Sequence, residues 1–364
     1  MTAAFFNIQT TGLIKSPETD MQQTAHINRR WVLASRPVGL PTAENFRLEN
    51  AGLPEPAEGQ MLLRTVYLSL DPYMRGRMSD APSYAAPVAI GDVMVGATIS
   101  RVVSSLHPEF KKDDWVLAYG GWQDYALSDG KGVVNLGANP QQPSLSLGVT
   151  GMPGFTAYMG LTDIGQPVAG ETLVVAAATG PVGSTVGQIA KLKGCRVVGV
   201  AGSDEKCRDA VEHAGFDLCL NHKDAGFAEQ LKAACPDGID IYFENVGGAV
   251  FEAVVPLLNP KARIPLCGTV AHYNDTGAAS GGDRLPAFIG TLLKKRIRLQ
   301  GFIIFDDYAP HFPAFRTLMT DWIRQGKIHY REQVIDGLEY APGALSGMLQ
   351  GHNFGKLVIR LADD

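Results

Sequence analysis

The chain has 364 residues, of which 45% are hydrophobic and 19% are charged, a composition that provides material for two domain cores. Its 32 basic and 37 acidic residues leave a net charge of −5, which argues against a surface for nucleic acid or anionic membranes. No apolar run approaches the roughly 20 residues that cross a bilayer, and five scattered cysteines indicate reduced thiols in a cytoplasmic protein.

Residues 1–20 lack the basic segment, apolar run and cleavage site of a signal peptide. They are polar and show no hydrophobic period, and a second methionine follows at Met21. We therefore predict a disordered extension or a translation start assigned upstream of the native one.

Residues 21–150 contain short strand-like runs separated by proline and glycine, namely RRWVLAS, GQMLLRTVYLSL, GATISRVVSS and DWVLAYGGWQDYALS. This pattern predicts a compact domain built on a mostly antiparallel sheet or barrel. Residues 151–327 instead alternate helical stretches with the runs TLVVAAA, CRVVGVAG, DLCLN, IDIYFENV, ARIPLCG and IRLQGFIIF. Such alternation predicts a parallel, doubly wound α/β sheet. Short strands return in residues 328–364, and the simplest topology joins this tail to the first domain.

A glycine-rich turn, ATGPVG, occupies residues 178–183 between the first strand of the α/β domain and a helix. It matches the G-x-G-x-x-G pattern of dinucleotide-binding turns, with Ala178 in place of the first glycine. Gly180 would let the backbone approach a pyrophosphate, and Gly183 would let the helix pack on the strand. We predict a dinucleotide site here; the alternative is an ordinary turn that binds nothing.

The end of the second strand indicates which dinucleotide is bound. NAD-binding units place an acidic residue there, about 20 residues after the glycines, to bind the ribose 2′-hydroxyl. Here the strand ends in small residues that include Ser203, with Lys206 and Arg208 close behind. Space and positive charge favour a 2′-phosphate, while Asp204 and Glu205 would cap the following helix. We therefore predict NADPH.

Side chains after the third, fourth and fifth strands should face the same crevice. His222 follows the third strand, Asn245 follows the fourth, and the segment CGTVAHYND begins at Cys267 after the fifth. An ordinary surface histidine is the alternative for His222.

The cysteines and histidines form no pattern typical of zinc, since neither C-x-x-C nor H-x-x-H occurs. Hydroxyl donors would then have to stabilise negative charge on a carbonyl oxygen. Tyr273, after the fifth strand, is the first candidate, and Tyr73, in DPYMRGRM on an exposed but structured turn, is the second. For each tyrosine, the alternative is a purely structural aromatic side chain.

Several of these segments resemble one enzyme superfamily. The unit AAATGPVGSTVGQIAKLKGCRVVGVAGSDEK is similar to that of the medium-chain dehydrogenases/reductases. LDPYMRGRM, GFTAY, NHKD, YFENVGG, CGTVAHYN, LQGFIIFD and GHNFGK resemble its zinc-free branch of leukotriene B4 dehydrogenases, prostaglandin reductases and plant alkenal double-bond reductases. Zinc-dependent members carry a ligand histidine and its neighbour where this chain has Asp92 and Val93. The resemblance starts near Asn28 and implies a Rossmann domain (151–327) and a mostly β GroES-like catalytic domain (21–150 and 328–364).

The resemblance also implies roles for individual residues. Lys206 would hold the 2′-phosphate, and Asn353 in GHNFGK would reach the nicotinamide end. Tyr273 would hydrogen-bond the substrate oxygen or the ribose, Tyr73 would line the substrate cleft, and a homodimer would form through IRLQGFIIF. The predicted cofactor contacts are Gly180, Pro181, Val182, Gly183, Ser203, Lys206, His222, Asn245, Cys267, Tyr273 and Asn353.

These expectations combine into one reaction, in which NADPH transfers hydride to the β-carbon of an α,β-unsaturated ketone or aldehyde without a metal. Tyr273 and the ribose 2′-hydroxyl would stabilise the enolate oxygen. A cleft walled by Tyr73, Tyr84, Phe305 and Tyr308 would favour large apolar or aromatic enones. The alternatives are a quinone reductase of the same superfamily and an NADPH-binding regulatory protein without turnover.

The segment 274–288 would act as a lid over the site or as a solvated linker.

Overall fold

The computed structural model describes residues 27–277 and 284–363. The predicted extension at 1–20 and the central part of the predicted lid, 278–283, lie outside these ranges. The strands within them are β1 Ile27–Leu33, β2 Phe46–Gly52, β3 Met61–Ser69, β4 Thr98–Ser105, β5 Trp115–Ala118, β6 Tyr125–Ser128, β7 Val134–Gly137, β8 Thr172–Ala176, β9 Arg196–Ala201, β10 Leu218–Asn221, β11 Ile239–Phe243, β12 Leu258–Leu266, β13 Arg298–Gly301, β14 Glu332–Asp336 and β15 Lys356–Arg360.

The α-helices in the same ranges connect the parallel strands or flank the sheets. They are α1 Tyr73–Arg77, α2 Met152–Met159, α3 Pro181–Leu192, α4 Asp204–Glu212, α5 Phe227–Ala234, α6 Gly248–Val254, α7 Leu285–Lys295, α8 Ile304–Tyr308, α9 Phe312–Arg324 and α10 Ala341–Leu349. None of these helices has the length and apolarity needed to span a bilayer.

The central part of the chain forms a six-stranded parallel sheet in the order β10-β9-β8-β11-β12-β13. This is the 3-2-1-4-5-6 strand order of a Rossmann fold, in which a ligand crevice opens where the order reverses. The reversal lies between β8 and β11. The central strand β8 is apolar because both of its faces are covered, and Leu173, Val174 and Val175 have no exposed surface. The predicted doubly wound sheet is confirmed.

The two ends of the chain build a second sheet together. Its order is β14-β15-β3-β4-β5-β7, with β6 also pairing with β3, and β1 and β2 form a separate antiparallel pair. Strand β15 runs antiparallel to β3, with Val358 opposite Ser69, so the C-terminal tail returns to the first domain. The predicted mostly β catalytic domain is confirmed, while the boundaries at 150/151 and 327/328 stay predictions.

The run IRLQGFIIF is only partly a strand. Strand β13 ends at Gly301, and Ile304 begins helix α8. The Ile303 N–H donates to Asp307 Oδ2 at 2.8 Å and so starts the helix. Phe302 and Ile304 are buried in the core of the Rossmann domain. The apolar run therefore reflects burial on both sides of a turn, and its prediction as one continuous strand is wrong.

Candidate active site

The turn between β8 and α3 brings the backbone into the crevice at the strand-order reversal. Ala177 adopts a left-handed conformation, with φ +54°, and Gly180 is the N-cap of α3. Pro181 starts the helix where no N–H is needed, and Val182 packs against the Rossmann core. A Cβ on Gly183 would collide with the Ala177 carbonyl oxygen. The turn thus presents the open end of a helix, as a pyrophosphate requires.

Ala178 replaces the first glycine of the motif without disturbing the turn. Its N–H donates to the Val200 carbonyl at 3.0 Å, which ties the turn to β9. A Cβ on Gly199 would lie only 2.8 Å from the Ala178 Cβ. The methyl group of Ala178 therefore fits because the residue opposite it, in the next strand, is a glycine.

A cluster of basic side chains surrounds the end of β9. A Cβ on Gly202 would lie 3.4 Å from His222 Nε2 and 3.8 Å from Lys223 Nζ. Ser203 caps α4 by accepting a hydrogen bond from the Lys206 N–H at 3.3 Å. Burial, followed by the charge of Lys223, lowers the pKa of both Lys206 and His222. This clustering of like charges is the electrostatic setting of an anion site, and Lys223 joins the predicted residues.

The turn that carries Asn353 lies beside Lys206. The Lys206 ammonium donates to the Gly351 carbonyl at 2.7 Å. The Asn353 amide is turned onto its own loop, where Nδ2 donates to the Gly355 carbonyl at 2.9 Å. The structure thus brings Asn353 near the basic cluster, and its role at the nicotinamide stays a prediction.

Two side chains after β11 shape the crevice floor. Asn245 Nδ2 donates to the Ala176 carbonyl at 2.9 Å, so it bridges the two strands at the reversal. Glu244 is buried, and its Oε1 accepts the N–H groups of Val246 and Gly247 at 2.5 and 2.8 Å. Burial raises the pKa of Glu244. Our sequence reasoning missed Glu244 because a single acid within an apolar run gives no signal of its backbone partners.

Cys267 and Tyr273 lie along one short segment after β12. The Cys267 N–H donates to the Glu244 carbonyl at 2.9 Å. Burial raises the pKa of the Cys267 thiol to about 12, so it stays protonated and is no nucleophile at neutral pH. Burial, followed by the nearness of Cys267 and Tyr84, also raises the pKa of Tyr273. The Tyr273 phenol therefore keeps the proton that a hydrogen-bond donor needs.

His272 holds the turn that presents Tyr273. Its Nε2 accepts the Gly248 N–H at 3.2 Å, so its Nδ1 carries the proton that bonds Asp275 at 2.9 Å. The turn is thereby fastened to the glycines that start α6. These contacts make His272 a positioning residue for the phenol.

DPYMRGRM is a helix rather than the predicted exposed turn. Arg75 in α1 is only 7% exposed, because its guanidinium extends into the contact between the domains. Its Nε donates to the Gly39 carbonyl at 3.2 Å and to Asn274 Oδ1 at 3.1 Å. Arg75 thus links the helix that carries Tyr73 to the residue that follows Tyr273. Burial, then the charge of Asp71, raises the pKa of Tyr73.

A buried ion pair fixes the residues that directly precede α1. Lys356 Nζ donates to Asp71 Oδ1 at 2.7 Å and to the Leu70 carbonyl at 2.8 Å, and the Ser69 hydroxyl also donates to Asp71. Lys356 and Asp71 are 2% and 5% exposed. The pair joins β15 of the tail to the residues directly before Tyr73.

The residues of the predicted cleft wall differ in exposure, and the wall stays a prediction for Tyr73, Tyr84 and Phe305. Tyr84 is 60% exposed. Tyr308 is buried, and its hydroxyl donates to Asp163 Oδ2 at 2.7 Å, so its predicted place in the wall is wrong. Phe305 packs against Phe155 and Phe312, with ring centroids 5.9 and 5.3 Å apart.

Two family models match this chain. One is described as the N-terminal domain of oxidoreductase and covers residues 29–136, and the other as zinc-binding dehydrogenase and covers residues 181–324. Despite the second description, residues 27–277 and 284–363 bring together no three His, Cys, Asp or Glu side chains that could hold a metal ion.

Curated relatives and solved structures match almost the whole chain. NADPH-dependent curcumin reductase of Escherichia coli (strain K12) is 66% identical over 344 residues, which are 94% of this chain and 100% of the relative. Prostaglandin reductase 1 of Mus musculus is 41% identical over 336 residues, 91% of this chain and 98% of the relative. The crystal structure of CurA in complex with NADPH from Vibrio vulnificus is 62% identical, with a TM-score of 0.90, and covers 92% of this chain and 100% of that chain.

Proposed function

The chain belongs to the medium-chain dehydrogenase/reductase superfamily, in the branch of the curcumin and prostaglandin reductases, and from this we propose its reaction and its working residues. It is an NADPH-dependent reductase of carbon–carbon double bonds conjugated to a carbonyl group. Curcumin-type dienones are the proposed substrate class, because the relative with 66% identity is a curcumin reductase. The observation that carries the proposal is one crevice that combines a pyrophosphate turn, a basic cluster and a protonated phenol.

The residues of the crevice fit NADPH. The turn at 180–183 would hold the pyrophosphate, and Ser203, Lys206 and His222, together with Lys223, would hold the 2′-phosphate. The basic cluster favours NADPH over NADH, because only NADPH carries a negatively charged phosphate on the ribose 2′ position. Asn245 and Cys267 would border the nicotinamide.

Lys206 is expected to set this cofactor preference. Lys206→Ala should raise the Kd for NADPH about 10- to 100-fold and leave that for NADH nearly unchanged, because one hydrogen bond to a charged group is lost. Titration of the fluorescence of each reduced cofactor measures both constants. Lys193→Ala is the matched control, because Lys193 lies at the C-terminal end of α3, away from the turn at 180–183. Equal losses for the two cofactors would contradict the assignment.

The protein's own groups then act on the substrate. NADPH, when bound, supplies the hydride to the β-carbon, and conjugation moves negative charge to the carbonyl oxygen. The Tyr273 phenol donates a hydrogen bond to that oxygen and stabilises the enolate until a proton adds to the α-carbon and completes the reduction. Arg75 and His272 hold the Tyr273 segment in place, and Tyr73 orients the substrate from the opposite domain.

A paired assay separates this reaction from its alternatives. Stopped-flow mixing with NADPH and an enone should remove the absorbance of the conjugated double bond in step with NADPH oxidation. Fast NADPH oxidation with quinones alone would instead support a quinone reductase. NADPH binding without turnover of any enone would support a regulatory protein.

We also propose a homodimer formed along β13 and α7. Ile289 and Leu293 are four residues apart on α7 and are 53% and 78% exposed, and β13 pairs with β12 along one edge. A second copy would extend the sheet and cover this face.

Light scattering should give twice the 39.0 kDa chain mass, and Leu293→Glu should lower the measured mass to that of one chain. Val211→Glu, on α4 at the opposite edge of the sheet, should leave the dimer intact, and a monomeric wild type would refute the proposal.

A cytoplasmic location is also part of the proposal. It is supported by Cys195, Cys207, Cys219, Cys235 and Cys267, which are all free thiols in the structure. Cell fractionation with an antibody to the protein would test it, and recovery from an extracytoplasmic fraction would refute it.

A further inference from the structure

We propose that Arg77 selects enone substrates that carry, besides the reacting carbonyl, a second oxygen group with negative charge. The inference rests on the proposed reaction and concerns which substrates the same site accepts. Carboxylate is the probe for this chemistry, because two oxygens match the two parallel N–H groups of a guanidinium.

Helix α1 places Arg77 on the same side as Tyr73, which we assign to the substrate cleft. Tyr73 and Arg77 are four residues apart and therefore share one face of the helix. Arg75 projects from another side, where it contacts Gly39 and Asn274. Met74 and Met78 fill the core beneath. Arg75 therefore has structural partners, while Arg77 lies on the same side of the helix as Tyr73.

The backbone around Arg77 brings Tyr84 to the same place. The Val88 N–H donates to the Arg77 carbonyl at 2.8 Å and closes the loop of residues 78–88 on the end of α1. The charge of Arg77 opposes the burial that raises the pKa values of Tyr73 and Tyr84, so it lies near both phenols. Tyr84 in turn acts on the pKa of Tyr273. Tyr84 therefore lies near both Arg77 and Tyr273, and we assign all three to one cleft.

Within the described residues, the guanidinium of Arg77 has no protein partner that would explain its presence. Its Nε is buried and donates to no hydrogen-bond acceptor there. The acidic residues on either side are engaged elsewhere, Asp71 with Lys356 and Asp80 with Arg36 at 3.6 Å. A half-buried charge without a counter-ion destabilises the free protein. A negatively charged group on the substrate would compensate this charge.

Two matched substrates test the inference: a linear enone that ends in a carboxylate and the same enone as its methyl ester. The wild type should have a kcat/KM at least 10-fold higher for the acid, mainly through KM. Arg77→Met should lower kcat/KM for the acid about 10- to 100-fold and for the ester less than about threefold. Arg77→Lys should recover part of the preference, because it keeps the charge but loses the paired N–H groups.

Arg36→Met is the control, since it removes a nearby cation that is already paired with Asp80. It should leave the ratio of acid to ester unchanged, whatever it does to the overall rate. Equal turnover of acid and ester by the wild type would overturn the inference, as would an equal loss for both in Arg77→Met. Weaker NADPH binding in Arg77→Met would assign the residue to the cofactor instead. A wild type that reduces neither enone would refute the proposed function itself.

Discussion

Replacing Tyr273 with phenylalanine is expected to lower kcat/KM for enone reduction about 100-fold, while the Kd for NADPH changes less than about twofold. The reason is that one donor aimed at a developing oxyanion contributes on the order of 3 kcal/mol to the transition state. The ring itself is retained, so the packing around Cys267 and Gly268 should survive. Steady-state rates with one enone and a fluorescence titration with NADPH measure the two quantities.

Tyr340→Phe is the matched control, because this tyrosine is 58% exposed at the start of α10 and belongs to no part of the proposed site. It should have no effect on either constant. The pH profile adds a second readout. The phenol donates only while protonated, and the pKa of Tyr273 is raised above its ordinary value of 10.0. The contribution of Tyr273 should therefore persist to pH 10 and disappear above it. An unchanged rate in Tyr273→Phe would contradict its assignment as the donor.

Lys356→Met is expected to lower the free energy of unfolding of the catalytic domain by about 3–5 kcal/mol, because it leaves the buried carboxylate of Asp71 without a counter-ion. Three of the four tryptophans, Trp31, Trp115 and Trp122, lie in this domain. Their fluorescence during urea unfolding therefore reports on it. Activity should fall as well, since Asp71 directly precedes the helix that carries Tyr73.

A second substitution separates the charge from the packing. Asp71→Asn combined with Lys356→Met should regain part of the lost stability, because no charge then remains buried. Arg360→Met removes an exposed partner of Asp336 and should leave the free energy of unfolding nearly unchanged. A double variant as unstable as Lys356→Met would show that a packing defect, rather than the unpaired charge, causes the loss.

The Rossmann unit and its cofactor turn could be predicted from the sequence because their signals are local. The alternation of strands and helices, and a glycine turn between a buried strand and a helix, depend on neighbours a few residues apart. The basic residues at the end of β9 are a local signal of the same kind. The run IRLQGFIIF does not reveal where its strand ends, because apolar residues mark burial equally well in a strand and in a short helix.

The sequence by itself determined the two-domain α/β architecture and the choice of NADPH, and it predicted a place for the dinucleotide and a tyrosine that we expect to act on the substrate. Only the tertiary structure showed that Gly199 accommodates Ala178, that Arg75 reaches Asn274, and that Lys356 neutralises Asp71. Arg75 and Asn274 are 199 residues apart, and Lys356 and Asp71 are 285 apart. Such pairs leave no periodic trace in the sequence, because they meet only when separate domains and strands pack against each other.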